Sequence, residues 1–219
     1  IKNSGKELML LTNDFAAIEF AAENKPEFIE LHSVALNVPS LQNTVLKKFD
    51  QKTKLVIGVG GCTLKEINHA VKVFENREII LMFGFQNYPT KYKDINIAKI
   101  RKIQSLYPKK LFGYADHTAW DETNNELITL LVASNGMNYI EKHVTNVYGQ
   151  NRNDFNAAIS IEMFNSLKKK IMILNEVYGD GKLDLNEGEK SYSQYGPMKM
   201  AALAKTSLKV GHIFSLKDI

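Results

Sequence analysis

The chain has 219 residues, of which 44% are apolar and 24% are charged, so it is long and apolar enough to bury a sizeable core. Its net charge of +4 is too small for a nucleic-acid-binding protein, and no apolar run has the roughly 18 residues of a membrane span. The first residues lack the apolar core of a secretory signal, and the single cysteine, Cys62, allows no internal disulfide. These features favour a cytoplasmic protein.

Short apolar runs alternate with longer amphipathic segments along the chain. The runs at 8–11, 28–32, 55–59, 79–83, 111–114 and 137–140 predict buried parallel strands. The segments at 14–23, 39–49, 67–74, 94–107, 121–134 and 160–177 predict helices, the third preceded by a capping box of Thr63 and Glu66. This series of β-then-α units indicates an α/β fold with a parallel sheet, either a closed (β/α)8 barrel or an open doubly wound sheet.

The composition changes after Gly179, where the chain becomes polar and rich in turn residues. Residues 179–189 superficially resemble a calcium-binding loop but lack its glycine at the sixth position, so we interpret residues 181–200 as a linker. The tail at 201–219 contains a basic stretch and then a pattern at 210–214 that predicts a turn into a strand.

Two histidines lie where successive predicted strands end. His117 follows the run at 111–114, and His143 follows the run at 137–140. Because the carboxyl ends of barrel strands form the active-site face, the two imidazoles can face one another across a divalent metal ion. Asp116 lies next to the first histidine, and strand alternation places Glu141 on the same face as His143. The alternative, two hydrogen-bonded structural histidines, remains open.

Polar loops follow two of these strands and are candidates for substrate binding. Gln86, Asn87 and Tyr88 could hydrogen-bond a sugar or its acetamido group, and Tyr88 could also stack on it. After the second histidine, Arg152 could bind an anion and Asp154 a hydroxyl group. The alternatives are a plain turn in the first case and a solvated loop in the second.

The motifs YADHT at 114–118 and IEKH at 140–143 resemble, in order, the SDHT and EKH motifs of the N-acetylneuraminate (sialic acid) synthase family. That family includes legionaminate and pseudaminate synthases and spore-coat polysaccharide relatives. Asp154 lies at the position of the family's loop aspartate, and QNYP at 86–89 is similar to the family's SNYP-like turn. The segment at 60–67 is similar to the family's TGMATLEEI segment.

The resemblance implies a (β/α)8 TIM-type barrel that lacks its first strands in this chain. The barrel domain is expected at 1–180, the linker at 181–200, and the beginning of a small antifreeze-like (SAF) β domain at 201–219. In the family this domain reaches over the partner subunit's site, which implies a domain-swapped homodimer here.

The resemblance also implies a reaction, the condensation of phosphoenolpyruvate with an N-acetylated amino sugar (a 2-acetamido sugar such as N-acetylmannosamine) in cell-surface polysaccharide biosynthesis. His117 and His143 are expected to hold Mn²⁺ or Mg²⁺ and, with Asp154, to form the catalytic group. Gln86, Asn87, Tyr88 and Arg152 are the expected substrate-binding residues. No nucleic acid or membrane partner is expected.

Several positions depart from the family pattern. Ala115 replaces the serine of SDHT, Gly58 and Val59 replace a Ser-Thr pair, and Phe155 replaces a histidine after the loop aspartate. The interval between the two histidines suggests an insertion at 120–125. The Glu and the Lys-x-Gln of the family's first two strands have no counterpart, so either residues precede Ile1 or the chain is a degenerate paralogue.

These departures leave two alternative functions open. One is a non-catalytic sugar-binding member of the family that has lost phosphoenolpyruvate condensation. The other is a different barrel lyase or aldolase with Lys142 as a Schiff-base residue, although strand alternation directs Lys142 away from the barrel axis.

Overall fold

The computed structural model describes residues 2–84, 87–196 and 200–219 and divides the chain into two compact units, Ile1–Tyr178 and Gly179–Ile219. The first unit is built around a sheet of six strands, all paired in parallel. They are β1 (Met9–Leu11), β2 (Phe28–Leu31), β3 (Lys54–Gly58), β4 (Ile79–Phe83), β5 (Leu111–Asp116) and β6 (Tyr139–Lys142).

Helices connect the strands. They are α1 (Phe15–Asn24), α2 (Pro39–Lys48), α3 (Leu64–Val73), α4 (Tyr92–Ile95), α5 (Ile97–Leu106), α6 (Asn125–Ala133) and α7 (Ile161–Tyr178). A separate two-stranded parallel sheet, β7 (Val144–Thr145) with β8 (Ile159–Ser160), lies between β6 and α7 in the chain.

The strand order decides between the two architectures that the sequence leaves open. Along the sheet the order is β1-β2-β3-β4-β5-β6, so every strand pairs with its neighbours in the chain. A doubly wound sheet reverses direction at a switch point, whereas a (β/α) barrel adds each strand on the same side of the last. The first unit is therefore part of a TIM-type barrel.

The two faces of the sheet carry different cores. Side chains on the helix-facing side form the larger core, which includes Leu31, Ile57, Leu81 and Tyr114. The alternate positions face the barrel interior and form a smaller apolar cluster of Phe28, Val56, Ile80, Met82 and Ala115. This alternation fixes which side chain after each strand end points towards the barrel axis.

Helix boundaries follow local side-chain chemistry. The predicted capping box is confirmed at α3, where Thr63 and Glu66 each bond the other's backbone amide. The single helix expected at 94–107 is instead two helices, because Asn96 adopts a left-handed conformation with φ of 51° and its side chain caps α5. Asparagine tolerates this conformation better than most residues.

A buried arginine ties two connections together at the opposite end of the sheet. The Arg77 guanidinium, just before β4, donates hydrogen bonds to the carbonyl oxygens of Phe49, Asp50 and Thr53, in the connection from α2 to β3. Three carbonyl acceptors satisfy the fork of donors, so its charge is solvated by the backbone.

The second unit contains α8 (Glu187–Tyr195), capped by Asn186, and a short 3₁₀ helix at Leu216–Asp218. A helix of nine residues thus lies within the segment interpreted as a linker. Residues 200–219 are described in full and contain no strand, so the strand expected after the turn at 210–211 is not formed. The SAF assignment of 201–219 stays a prediction. No described helix is long and apolar enough to cross a membrane.

Gly84, after β4, is predicted to be intolerant of any side chain. Its φ is +117°, and an added Cβ would lie 2.0 Å from the carbonyl oxygen of Ala115 on β5. We expect Gly84→Ala to lower the free energy of unfolding by more than about 2 kcal/mol. Gly61 also has a positive φ but nothing within 4 Å of an added Cβ, so Gly61→Ala should cost about 1 kcal/mol. Urea unfolding of both variants measures the difference; equal costs would contradict the close approach.

Candidate active site

His117 and His143 lie side by side at the carboxyl ends of β5 and β6. In the sheet Asp116 pairs with Lys142, and the next residue of each strand is a histidine. The two ring centroids are 5.1 Å apart, with the ring planes inclined at 54°. The structure therefore brings together the two imidazoles that the sequence predicts as metal ligands.

The backbone of both histidines is held by neighbouring loops. The carbonyl oxygen of His117 accepts a hydrogen bond from the amide of Thr90 at 2.8 Å, and that of His143 accepts one from Ile159 at 3.0 Å. Asn125, at the start of α6, donates to the carbonyl oxygens of Thr118 and Ala119. These hydrogen bonds hold the backbone from which both imidazoles project.

The His117 ring is held in one tautomer. Its Nδ1 lies 3.1 Å from the carbonyl oxygen of Ala115, and a carbonyl only accepts, so Nδ1 carries the proton and Nε2 presents its lone pair. Burial, together with the neighbouring His143, lowers the pKa of His117 to about 4. A neutral imidazole with Nε2 as acceptor is the form that binds a metal ion.

A buried ion pair lies behind the two imidazoles, on the helix-facing side of the sheet. Lys142 Nζ is 2.7 Å from Asp116 Oδ2, and the two side chains are 2% and 0% exposed. Asp116 also accepts hydrogen bonds from the amide and hydroxyl of Thr118 and from the hydroxyl of Thr129 on α6. Although burial alone would raise the pKa of Asp116, the Lys142 charge and these donors hold it below the ordinary value.

Strand alternation explains the directions of both partners of this ion pair. Asp116 does not flank a metal site, because it alternates with His117 and so points out towards α6. Lys142 points away from the axis as strand alternation predicts, and its amine is paired with Asp116.

The interior-facing side chains at the strand ends line a cavity of about 170 Å³, which we call the inner cavity. Its polar lining combines imidazoles with carboxylates, and no lysine or arginine among the described residues contributes to it. The polar and charged residues are Glu30, His32, Ser33, Tyr88, His117, Glu141, His143 and Asp154.

Glu30 on β2 is a site residue that the sequence analysis missed. It is only 7% exposed, and burial and the nearby Glu141 raise its pKa to about 8. Burial likewise raises the pKa of Glu141, whose Oε2 is buried with no hydrogen-bond partner among the described residues. The alternation of side chains along a strand could have identified Glu30 from the sequence, because Glu30 shares the inward face of β2 with Phe28.

A second cavity of about 790 Å³, which we call the outer cavity, adjoins the inner one and shares His143 and Asp154 with it. Arg152 and Phe155 also line it, and the side chains of Arg152 and Asp154 are exposed. The loop that carries them is braced by Trp120, whose ring meets Tyr148 edge-on at 5.0 Å and whose carbonyl oxygen accepts the Tyr148 hydroxyl at 2.8 Å.

Two neighbouring residues of the loop after β4, Asn87 and Tyr88, line different cavities. Tyr88 lines the inner cavity, with its ring edge-on to His117 at 5.7 Å. Asn87 instead donates to Asp94 at 2.7 Å and lines a different cavity, between the loops after β3 and β4. The structure therefore does not bring Asn87 to the histidines. Gln86 lies outside the described residues.

The two-imidazole arrangement fits a divalent transition metal as a partial set of ligands. Within the described ranges, no three His, Cys, Asp or Glu side chains converge into a cluster that could hold a metal ion. His117 and His143 would thus provide two ligands, and water or substrate oxygens the others. The orphaned Glu141 Oε2 beside them offers an acceptor for such a water.

A comparison of the whole chain with protein-family models matches residues 5–183 to the NeuB family. The chain belongs to the NeuB family. This membership confirms the resemblance to sialic acid synthases inferred from the YADHT and IEKH motifs. The match covers the described partial barrel, with both histidines and the loop to Asp154.

Two curated relatives and one solved structure extend this comparison. The chain is 27% identical over 168 residues to an uncharacterized protein of Methanocaldococcus jannaschii, aligning 75% of this chain with 48% of that protein. It is 22% identical over 205 residues to a pseudaminic acid synthase of Campylobacter jejuni, aligning 92% of this chain with 56% of that enzyme. The chain thus spans about half the length of the curated relatives it matches.

The N-acetylneuraminic acid synthetase of Leptospira borgpetersenii has a similar fold. It superimposes with a TM-score of 0.75 at 22% identity, over 84% of this chain and 62% of the other. At this identity the superposition supports the barrel architecture alone.

Removing the buried lysine tests how the site is built. We expect Lys142→Met to lower the free energy of unfolding by about 3 kcal/mol or more, because it leaves the Asp116 carboxylate buried without its cation. The matched control is Lys170→Met, which removes a surface pair with Glu126 and should cost less than about 1 kcal/mol. Chemical denaturation measures the loss of unfolding free energy in both variants. Similar losses would show that the buried pair stabilises the protein no more than the surface pair does.

Proposed function

We propose that this chain is the catalytic region of a nonulosonic (sialic-type) acid synthase, which condenses phosphoenolpyruvate with an N-acetylated amino sugar and releases phosphate. N-acetylmannosamine is the example we would test first, in the context of cell-surface polysaccharide biosynthesis. The observation that carries the proposal is the pair of imidazoles 5.1 Å apart at the ends of β5 and β6, in a NeuB-family barrel.

In this reaction C3 of phosphoenolpyruvate forms a bond to the aldehyde carbon of the sugar, water adds at C2, and phosphate leaves. A divalent metal, Mn²⁺ or Mg²⁺, would polarise the sugar aldehyde as a Lewis acid. His117 and His143 are the residues that would hold it, and the Ala115 carbonyl keeps His117 in the tautomer that can do so.

The two adjoining cavities suggest where the larger substrate binds. The outer cavity, at about 790 Å³, is in the size range of small-molecule sites, whereas the inner cavity of about 170 Å³ is too small for an acetamido sugar. Both share His143 and Asp154, so a sugar in the outer cavity can direct its aldehyde towards the histidines. Asp154 would accept a sugar hydroxyl, and Arg152 would bind an anionic group.

A second candidate function has an observation in its favour. The inner cavity is lined by three carboxylates, those of Glu30, Glu141 and Asp154, and by no described lysine or arginine. Such a lining offers no basic side chain to bind the phosphate and carboxylate of phosphoenolpyruvate. Ala115 also lacks the hydroxyl of the family's serine. A family member that binds a sugar without condensing it is therefore the alternative.

The remaining expectations are part of the proposal. We place the protein in the cytoplasm, where phosphoenolpyruvate is made, and expect a homodimer that is completed by a domain following the barrel. Gln86 stays a sugar-binding candidate, and Asn87 is one only if substrate replaces its hydrogen bond to Asp94.

Phosphate release by the full-length protein tests the proposed reaction. Phosphoenolpyruvate and Mn²⁺ would be mixed with a panel of 2-acetamido sugars, for the native protein and for His117→Ala and His143→Ala. We expect sugar-dependent release in the native protein and a loss of at least about 100-fold in both variants, because each removes one metal ligand. His69→Ala, on the exposed face of α3, is the matched control and should leave the rate unchanged.

The same experiment separates the two candidates. If the folded, Mn²⁺-loaded protein releases no phosphate but binds an acetamido sugar in calorimetry, the synthase proposal is wrong and the sugar-binding function replaces it. If it neither releases phosphate nor binds a sugar, both are wrong.

A further inference from the structure

Glu30 stands out among the inner-cavity residues because none of the described residues pairs with its carboxylate. It lies on β2, in a strand whose four residues are all buried, and its own exposure is 7%. No described residue forms a hydrogen bond or salt bridge with its carboxylate. Because it lines the inner cavity and has no described partner, its carboxyl group is available to a ligand that binds there.

The chemistry of the cavity indicates what that partner is. Glu30 and Glu141 face the same space as His117 and His143, and no described basic side chain lines it. Two carboxylates together carry the charge that balances a divalent cation, and a cavity of about 170 Å³ has room for a cation with bound water but not for a sugar.

We propose that Glu30 helps to hold the divalent cation at His117 and His143, by accepting a hydrogen bond from a water bound to that cation. A water-mediated role agrees with the absence of any cluster of three ligating side chains among the described residues. It also suits Mn²⁺ or Mg²⁺, because Mg²⁺ in particular keeps several of its waters. The inference rests on the proposed function only through the metal, and it concerns a residue outside the YADHT and IEKH motifs.

The test is the Mn²⁺ affinity of the full-length protein, measured by titration calorimetry for the native protein, Glu30→Gln and His117→Ala. Replacing an outer ligand partner typically weakens metal binding 10- to 100-fold. We therefore expect Glu30→Gln to raise the Kd for Mn²⁺ at least about tenfold and His117→Ala to abolish binding. Glu75→Gln, in the exposed turn after α3, is the matched control and should bind Mn²⁺ like the native protein.

Thermal unfolding distinguishes a role in binding from a role in folding. Without metal, Glu30→Gln should melt at or near the native temperature, because the Glu30 carboxyl group has no hydrogen bond or salt bridge with a described residue to lose. With Mn²⁺, the native protein should gain stability and the variant should gain much less. A variant that melts lower without metal but keeps the native Kd would show that Glu30 is structural.

The outcomes separate this inference from the function it rests on. If native protein binds Mn²⁺, His117→Ala does not, and Glu30→Gln binds as tightly as the native protein, the Glu30 inference is wrong and the metal site stands. If the native protein itself binds no Mn²⁺ or Mg²⁺, the metal site and the Glu30 inference both fail.

Discussion

The buried ion pair between Asp116 and Lys142 is the constraint on which the site depends. It joins neighbouring strands at paired positions, and each partner is followed directly by a histidine. Because successive side chains of a strand alternate in direction, a pair that points towards the helices requires the next residues to point towards the barrel axis. The ion pair thus sets the register that places His117 beside His143.

Removing this pair of charges from water is unfavourable, and neighbouring hydrogen-bond donors offset part of that desolvation energy. Thr118 and Thr129 complete the hydrogen bonds of the Asp116 carboxylate, so neither oxygen is left unsatisfied. A well-packed apolar pair could fill the same space at similar stability. We infer that the ionic version is kept for specificity, since a slip of one residue would separate the two charges and turn the imidazoles outward.

The inner face of the same strands has the opposite character. There Glu30 and Glu141 are left without described partners. Burial raises the pKa of both, and the nearby Glu141 raises that of Glu30 further. On the helix-facing side the Asp116 and Lys142 charges are satisfied by the protein itself, whereas we propose that a bound cation completes the axis-facing side. Such an unsatisfied cluster is expected at a functional site rather than in a structural core.

The strands, which follow from hydrophobic periodicity, were predicted from the sequence. Features that depend on single residues or on distant contacts were not. Every strand of the barrel sheet was expected close to its observed position, because parallel strands buried on both faces form continuous apolar runs. The break at Asn96, helix α8 and the β7–β8 pair were not foreseen, since they depend on single residues or on distant contacts. The histidine pair followed from strand ends, but Asn87 did not join it because its direction is set by a bond to Asp94.

The directions of Asp116 and Glu30 could also have been predicted from the alternation of side chains along a strand. The rule that correctly turned Lys142 away from the axis also turns Asp116 away, and it points Glu30 inwards.

The departure from the family pattern at Gly58 has a steric reason, because a Cβ there would lie 2.6 Å from the amide nitrogen of Ser33. A serine at this position in the present chain would therefore require the backbone at His32 and Ser33 to move.

The most direct test is to locate the metal by anomalous scattering in crystals of the full-length protein loaded with Mn²⁺. The account predicts one Mn²⁺ in the inner cavity, coordinated by a ring nitrogen of both His117 and His143, with Lys142 still paired to Asp116. A metal ion bound elsewhere, or to only one of the two imidazoles, would contradict it.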